Sequence, residues 1–153
     1  MPKCYQLVGV PCAGKSTWIK DQIWALGLTV ISTDPFVEDY ARAQGKTYSE
    51  VFTEYMPTAV ELMAKQVVFA REHGHTVIWD QTSTTVKSRA RKFRMLPDYE
   101  HIAVVFKTPE VEELGRRLLS RPGKIIPVDV VESMIKNFEI PTEEEGFDEI
   151  WFT

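Results

Sequence analysis

Short runs of apolar and β-branched residues alternate along the chain with longer segments whose apolar positions recur every three or four residues. The short runs predict buried strands, and the longer segments predict amphipathic helices. We predict about five strands, over residues 3–9, 28–32, 75–80, 102–106 and 147–152. Helices are predicted over residues 16–26, 35–43, 49–73, 84–95, 109–119 and 127–138. In the third helix we expect Ser49 to act as the cap and Pro57 to break or restart the helix.

This alternation predicts an α/β fold, in which a parallel sheet of about five strands is covered by helices on both faces. The chain has 153 residues, which fits one domain, so we expect residues 1–153 to form a single domain. No segment approaches the run of roughly 18 apolar residues that a membrane helix needs, which predicts a cytoplasmic protein. The net charge of −4 argues against long tracking along a nucleic-acid duplex, but it permits recognition of one strand end.

Residues 9–16 match the phosphate-loop pattern G-x-x-x-x-G-K-[ST], and the loop lies between a predicted strand and a predicted helix. Loop amides and the helix N-terminus favour phosphate, Lys15 is expected at the β and γ phosphates, and Ser16 is expected to ligate Mg²⁺. A chance glycine-rich turn is the alternative. The motif predicts ATP and Mg²⁺ as cofactors, with ATP held by Gly9, Pro11, Cys12, Ala13, Gly14, Lys15, Ser16 and Thr17.

Two acids follow predicted strands, Asp34 after the second and Asp80 after the third. Ligands of open parallel sheets bind outside the carboxyl ends of the strands, so both acids are candidates for one shared site. One carboxylate would take a proton from an acceptor hydroxyl, and the other would support Mg²⁺ through water or orient the acceptor. The alternative for each is an ordinary helix N-cap.

Basic residues cluster at the end of the fifth predicted helix and in the following loop, namely Arg116, Arg117, Arg121 and Lys124. Arginine stabilises the negative charge of a transferred phosphoryl group, and a closing loop excludes water. We therefore expect an arginine-bearing lid over the site. The alternative is that these cations only offset the helix dipole, which suits Arg116 better than Arg121. The fourth helix carries a second basic face, which either contacts acceptor phosphates or is merely solvated.

Together, these residues resemble the kinase domain of bacteriophage polynucleotide kinase, with Gly9–Trp18 similar to the opening of that family. The resemblance implies a P-loop kinase fold and transfer of the γ-phosphate of ATP to 5′-hydroxyl ends of DNA or RNA in strand repair. It implies Asp34 as the general base and Asp80 with Thr82 at the acceptor end. It also implies that Arg117 and Arg121 bind the donor, so the catalytic set is Asp34, Lys15 and Arg121.

Two departures from the family pattern concern the acceptor. Val37 stands where the family has an arginine that contacts an acceptor phosphate, and Arg42, Arg89 or Arg91 are the candidates to replace it. The chain ends at Thr153 without the family's phosphatase domain, so we expect no 3′-phosphatase activity. The resemblance implies that the protein works in the cytoplasm of a phage-infected host.

Three functions remain open at this stage. The first is a 5′-hydroxyl polynucleotide kinase with nucleic-acid ends as its partners. The second is a kinase of a small metabolite such as a nucleoside, nucleotide or sugar, which the acidic net charge and Val37 favour. The third is a nucleotide-dependent switch without an acceptor, which would need a partner surface. Against the third, we expect Trp24, Trp79 and Trp151 to be core residues rather than surface ones.

Overall fold

The fold is an α/β sandwich with a parallel sheet at its centre, which confirms the predicted fold class. The computed structural model describes residues 1–22 and 26–153. Within these residues the strands are β1 (Lys3–Val8), β2 (Leu28–Ile31), β3 (Thr76–Trp79), β4 (Glu100–Val105) and β5 (Glu149–Phe152). The helices are α1 (Lys15–Gln22), α2 (Asp34–Gln44), α3 (Tyr48–Glu72), α4 (Val86–Met95), α5 (Val111–Leu119) and α6 (Val128–Lys136), with a 3₁₀ turn at Glu143–Glu145.

The strand order is β2-β3-β1-β4-β5, and every neighbouring pair is parallel. The chain therefore starts in the middle of the sheet at β1, passes to the edge strand β2 and returns to β3 between them. It then crosses to the other side of β1 for β4 and β5. Such a reversal leaves a crevice at the carboxyl end of the central strand, which is where open α/β sheets bind ligands. The loop after β1 emerges at this crevice.

Side chains of β1 alternate between the two faces of the sheet, as expected for a strand covered on both sides. Cys4 packs with residues of α3, and Val8 packs with residues near α4 and β5. Leu7 faces the other way, into a cluster that includes Trp18 of α1. A further cluster joins α2 to α3, and another joins the phosphate loop to α5 and α6.

The long helix α3 differs from the prediction at two points. Pro57 lies inside one continuous helix, because the buried face around it, which includes Val51 and Ala59, holds the helix against α2. Its N-cap is Thr47 rather than Ser49. The Thr47 side chain accepts from the Glu50 N–H and the Glu50 side chain accepts from the Thr47 N–H, which is a capping box.

The tryptophan prediction is confirmed for one residue and wrong for another. Trp79 is 1% exposed, but Trp151 is 42% exposed because β5 is the edge strand of the sheet. Trp24, like the end of the first predicted helix, lies outside the described residues. Across the described helices, none is both long and apolar enough to traverse a lipid bilayer.

Candidate active site

A cleft of about 1210 Å³ opens at the carboxyl ends of β2, β3 and β1. It is lined by the phosphate loop, by the acids that follow β2 and β3, by the first turns of α3 and by the lid segment that joins α5 to α6. Pockets for one small ligand usually measure roughly 300–1,000 Å³. The cleft is therefore large enough for a nucleotide and an acceptor side by side.

The phosphate loop is shaped by residues that lack a bulky side chain or adopt unusual backbone angles. Gly9 is buried beneath the cleft, and a Cβ on it would lie 3.0 Å from Cβ of Phe106. Cys12 and Gly14 have φ values of 64° and 107°, in the left-handed half of backbone space. Of the residues predicted to bind ATP in this loop, all but Gly9 line the cleft, namely Pro11, Cys12, Ala13, Gly14, Lys15, Ser16 and Thr17.

Lys15 lies folded back onto its own loop. Its Nζ donates to the carbonyl oxygens of Gly9 at 2.6 Å and Val10 at 3.2 Å. Burial lowers the pKa of Lys15 to about 8, although the carboxylates of Asp80 and Asp34 oppose the shift. A polyphosphate in the loop would stabilise the charged ammonium and draw it away from these carbonyls.

Asp34 opens α2 and faces the cleft. The Tyr48 hydroxyl donates to its Oδ1 at 2.7 Å, and Nζ of Lys124 lies 3.6 Å from its Oδ2. The carboxylate makes no capping bond to α2, whose cap position is Thr33. The alternative of an ordinary helix cap therefore does not describe Asp34.

Asp80 follows β3, between the strands that carry the phosphate loop and Asp34. It does not cap α4, because Thr85 occupies that position. Burial raises the pKa of Asp80 above its ordinary value, with Lys15 lowering it and Asp34 raising it further. The carboxylate and the Ser16 hydroxyl line the same cleft and are hard oxygen donors of the kind that Mg²⁺ prefers, directly or through water. These residues fit a magnesium ion.

The lid predicted from the arginine cluster is the segment between α5 and α6, and it closes one side of the cleft. Arg117 donates from Nη1 to the carbonyl oxygen of Cys12 at 2.9 Å, which ties α5 to the phosphate loop. Arg121 also lines the cleft, and its positive charge acts on both Lys15 and Tyr48. Arg116 is exposed and pairs with Glu113, which agrees with the alternative of a helix-end charge for this residue.

The structure brings Asp34, Asp80 and Thr82 to the cleft, but not the three arginines proposed for the acceptor. Arg42 is exposed on α2 and pairs with Asp39, and Arg91 is exposed on α4. Arg89 is fully buried because Glu145 binds its guanidinium through two bonds of 2.8 and 3.1 Å.

Tyr48 was not predicted at the site, and Lys124 was predicted in the lid but not as a partner of Asp34. Both line the cleft and both contact Asp34. Beside them, Phe52 keeps 41% of its surface exposed and lines the same wall as Met56. A capping signal at the start of α3 was readable in the chain, but the approach of these side chains to Asp34 depends on how α3 and the lid pack.

Comparison with known proteins gives a family match and a curated relative. Residues 6–141 match the model of a family described as AAA domain. The bifunctional polynucleotide phosphatase/kinase of Schizosaccharomyces pombe is 27% identical over 149 residues, which is 94% of this chain and 31% of that protein. The chain thus spans about a third of the length of this curated relative.

Solved structures share the fold. A structure from the PezAT chromosomal toxin–antitoxin system of Streptococcus pneumoniae has a TM-score of 0.71 at 20% identity, covering 99% of this chain and 66% of that one. A gluconokinase of Sinorhizobium meliloti has a TM-score of 0.54 at 16% identity, covering 99% and 81%. At these identities the likeness shows the fold alone. The family model spans most of the chain, and the chain therefore belongs to the AAA domain family, with the fold of P-loop kinases.

Proposed function

We propose that residues 1–153 act as one kinase domain that transfers the γ-phosphate of ATP to the 5′-hydroxyl end of DNA or RNA. The observation that carries the proposal is the position of Asp34, an acid that caps no helix and faces the phosphate loop across a cleft with room for two substrates. A nucleotide-dependent switch without an acceptor would not require such an acid or the additional space in the cleft.

The chemistry assigned to these residues is phosphoryl transfer to an alcohol. The Asp34 carboxylate accepts the proton of the attacking hydroxyl, while Lys15 and Arg121 stabilise the charge that spreads over the phosphoryl oxygens. Mg²⁺, when bound, would neutralise negative charge on the phosphate oxygens. Ser16 would hold the ion, with Asp80 supporting it through water. The lid excludes water, so that transfer is favoured over hydrolysis.

Two observations support a polynucleotide acceptor. The relative from S. pombe that matches nearly the whole chain is a polynucleotide phosphatase/kinase. The acceptor side of the cleft also presents an exposed aromatic ring, Phe52, and base stacking on such rings is a common and sequence-tolerant way to bind single strands. Bacteriophage origin and a role in strand repair follow only from the family resemblance and stay predictions.

A metabolite kinase is the second candidate. The acidic net charge favours it, and the fold is one that a gluconokinase also has. In this case the same loop, base and lid would act on a smaller alcohol. Phe52 argues against an open-chain sugar acid, because such an acceptor offers no flat apolar face to an aromatic ring.

Competition between acceptors tests the proposal. The full chain is incubated with radiolabelled ATP and Mg²⁺, a 5′-hydroxyl oligonucleotide of DNA or RNA, and an excess of nucleosides or sugar acids. We expect label on the oligonucleotide, little competition from the small alcohols and no label on an oligonucleotide that already carries a 5′-phosphate. Label on a small alcohol with none on the oligonucleotide would replace the proposal with the metabolite kinase.

A further inference from the structure

We propose that Lys124 binds the phosphodiester that follows the 5′-terminal nucleoside of the acceptor. The uncharged side chain of Val37 cannot make such a contact. The inference rests on the proposed function and identifies its specificity residue. Val37 is fully buried between α2 and α3, so no acceptor reaches it. The cation at this part of the site comes instead from the lid.

The first argument is elimination among the described basic residues that line the cleft, which are Lys15, Arg117, Arg121 and Lys124. Lys15 and Arg117 are bonded to carbonyl oxygens of the phosphate loop, on the donor side. Arg121 is assigned to the transferred phosphoryl group. Lys124 alone among them makes an ion pair with Asp34, on the acceptor side.

The second argument is distance. Nζ of Lys124 lies 3.6 Å from Oδ2 of Asp34, the atom left free when Tyr48 binds Oδ1. A hydroxyl held by this carboxylate therefore lies within a few ångströms of the ammonium. In a strand with a 5′-hydroxyl, the first phosphodiester is attached to the same sugar, so it is the first anion within reach of Lys124.

The third argument is that the lid backbone fixes Lys124 on both sides. The carbonyl oxygen of Gly123 accepts from the Ser49 N–H at 3.1 Å, and the Ile125 N–H donates to Oγ of Ser49 at 2.8 Å. Gly123 has a φ of 70° and packs so closely that a Cβ on it would lie 3.1 Å from Cβ of Thr47. The side chain of Lys124 is consequently 16% exposed, although it belongs to a loop.

The fourth argument concerns the partners of the ammonium. It pairs with Glu38 at 2.5 Å and with Asp34 at 3.6 Å, and it lies 4.5 Å from the ring centroid of Tyr48. An ammonium has three N–H donors, so two carboxylates leave one for an acceptor oxygen. Glu38 does not line the cleft, which leaves the cleft side of Lys124 open to an anion.

The test removes the negative charge of the first phosphodiester linkage alone. Two 5′-hydroxyl oligonucleotides are compared under single-turnover conditions at saturating ATP and Mg²⁺. One has a normal first linkage, and the other has a neutral methylphosphonate there. We expect the wild-type protein to phosphorylate the charged strand about tenfold faster, the effect of one charge-assisted contact. In Lys124→Ala we expect this ratio to fall to about one, whatever happens to the absolute rates.

Two variants serve as references. Lys124→Arg keeps the charge and should keep most of the ratio. Lys136→Ala removes an exposed lysine from the end of α6 and should leave the ratio at its wild-type value. ATP binding by each variant checks that the donor side is intact. Because the readout is a ratio within one protein, a partial loss of folded material cancels.

The outcomes separate the two proposals. If the wild-type protein labels both strands and Lys124→Ala keeps the tenfold preference, the role of Lys124 is overturned and the polynucleotide kinase stands. If the neutral linkage makes no difference to the wild-type protein, no cation reads this phosphate and the inference fails in the same way. If no oligonucleotide is labelled, the proposed function falls and the inference falls with it.

Discussion

The hydroxyl of Tyr48 offers a way to perturb the candidate base without touching it. It donates to Oδ1 of Asp34 at 2.7 Å, and burial, together with this bond, raises the pKa of Tyr48, so the hydroxyl stays protonated at neutral pH. We propose that it fixes the rotamer of the carboxylate so that Oδ2 points at the acceptor. In Tyr48→Phe the ring still packs on Phe52 and beneath Lys124, so only the hydroxyl is lost.

The expected magnitude follows from that single bond. A hydrogen bond to a charged group contributes about 1.5–3 kcal/mol. Since about 1.4 kcal/mol corresponds to a tenfold change in rate, Tyr48→Phe should lower the transfer rate by roughly 10- to 150-fold if the whole bond acts on the transition state. The phosphate loop does not contact this hydroxyl, so ATP affinity should change by less than about twofold.

The assay is single-turnover transfer to a 5′-hydroxyl oligonucleotide, with ATP affinity measured separately by calorimetry. Tyr40→Phe is the matched control, because the Tyr40 hydroxyl donates to Glu54 at 3.4 Å away from the cleft. It should leave both quantities unchanged. A wild-type transfer rate in Tyr48→Phe would refute the positioning role, and so would an equal loss in ATP affinity.

Three further predictions follow from other parts of the structure. Arg89→Ala removes the ion-pair partner of Glu145, whose side chain is only 8% exposed, and should lower the free energy of unfolding by about 3–5 kcal/mol in a urea titration. A loss below about 1 kcal/mol would contradict this. The pKa of Lys15 is about 8, so ATP binding takes up a proton above that pH. ATP affinity, measured by calorimetry, should be constant below pH 8 and fall by up to about tenfold per pH unit above it. A constant affinity up to about pH 9.5 would contradict this prediction. Gly9→Ala should lower the free energy of unfolding by about 1–3 kcal/mol because its Cβ would lie 3.0 Å from a neighbouring Cβ, whereas Gly115→Ala meets no atom within 4 Å and should not destabilise the protein.

The fold and the position of the phosphate loop could be predicted because their signals are local. A phosphate loop needs a strand, a turn and a helix in direct succession, and residues 3–22 contain all three. Alternating short apolar runs and helical segments required a parallel sheet with both faces covered. In such a sheet Asp34 and Asp80 had to reach the same edge, because each follows the end of a strand.

The contacts around Asp34 could not be predicted, because their residues meet only through tertiary packing. Tyr48 is 14 positions from Asp34 and contacts it because α2 and α3 pack against each other. Lys124 belongs to the lid, far from Asp34 along the chain. It reaches the same carboxylate because Ser49 binds the lid backbone. Neither the hydrophobic periodicity nor the spacing of residues along the sequence predicts these contacts.

Arg89 shows the opposite error: it was predicted as a candidate to bind an acceptor phosphate, but it is buried. A basic helix with several exposed cations suggests a surface for phosphate, and Arg89 belongs to that helix. Its partner Glu145 lies 56 positions further on, in a 3₁₀ turn that was not predicted, so the buried pair left no local signal. The Thr47–Glu50 capping box was also missed, because Ser49 was predicted as the cap, although the two residues lie only three positions apart and give a local signal.

The account depends on Asp34 acting as the base for an acceptor beside a phosphate loop that binds ATP independently. The most direct test is Asp34→Ala with ATP, Mg²⁺ and a 5′-hydroxyl oligonucleotide, with binding followed by calorimetry and transfer followed by label on the strand. We predict magnesium-dependent ATP affinity within about threefold of the wild type and a transfer rate at least about a hundredfold lower. A variant that labels the strand at the wild-type rate would contradict the account.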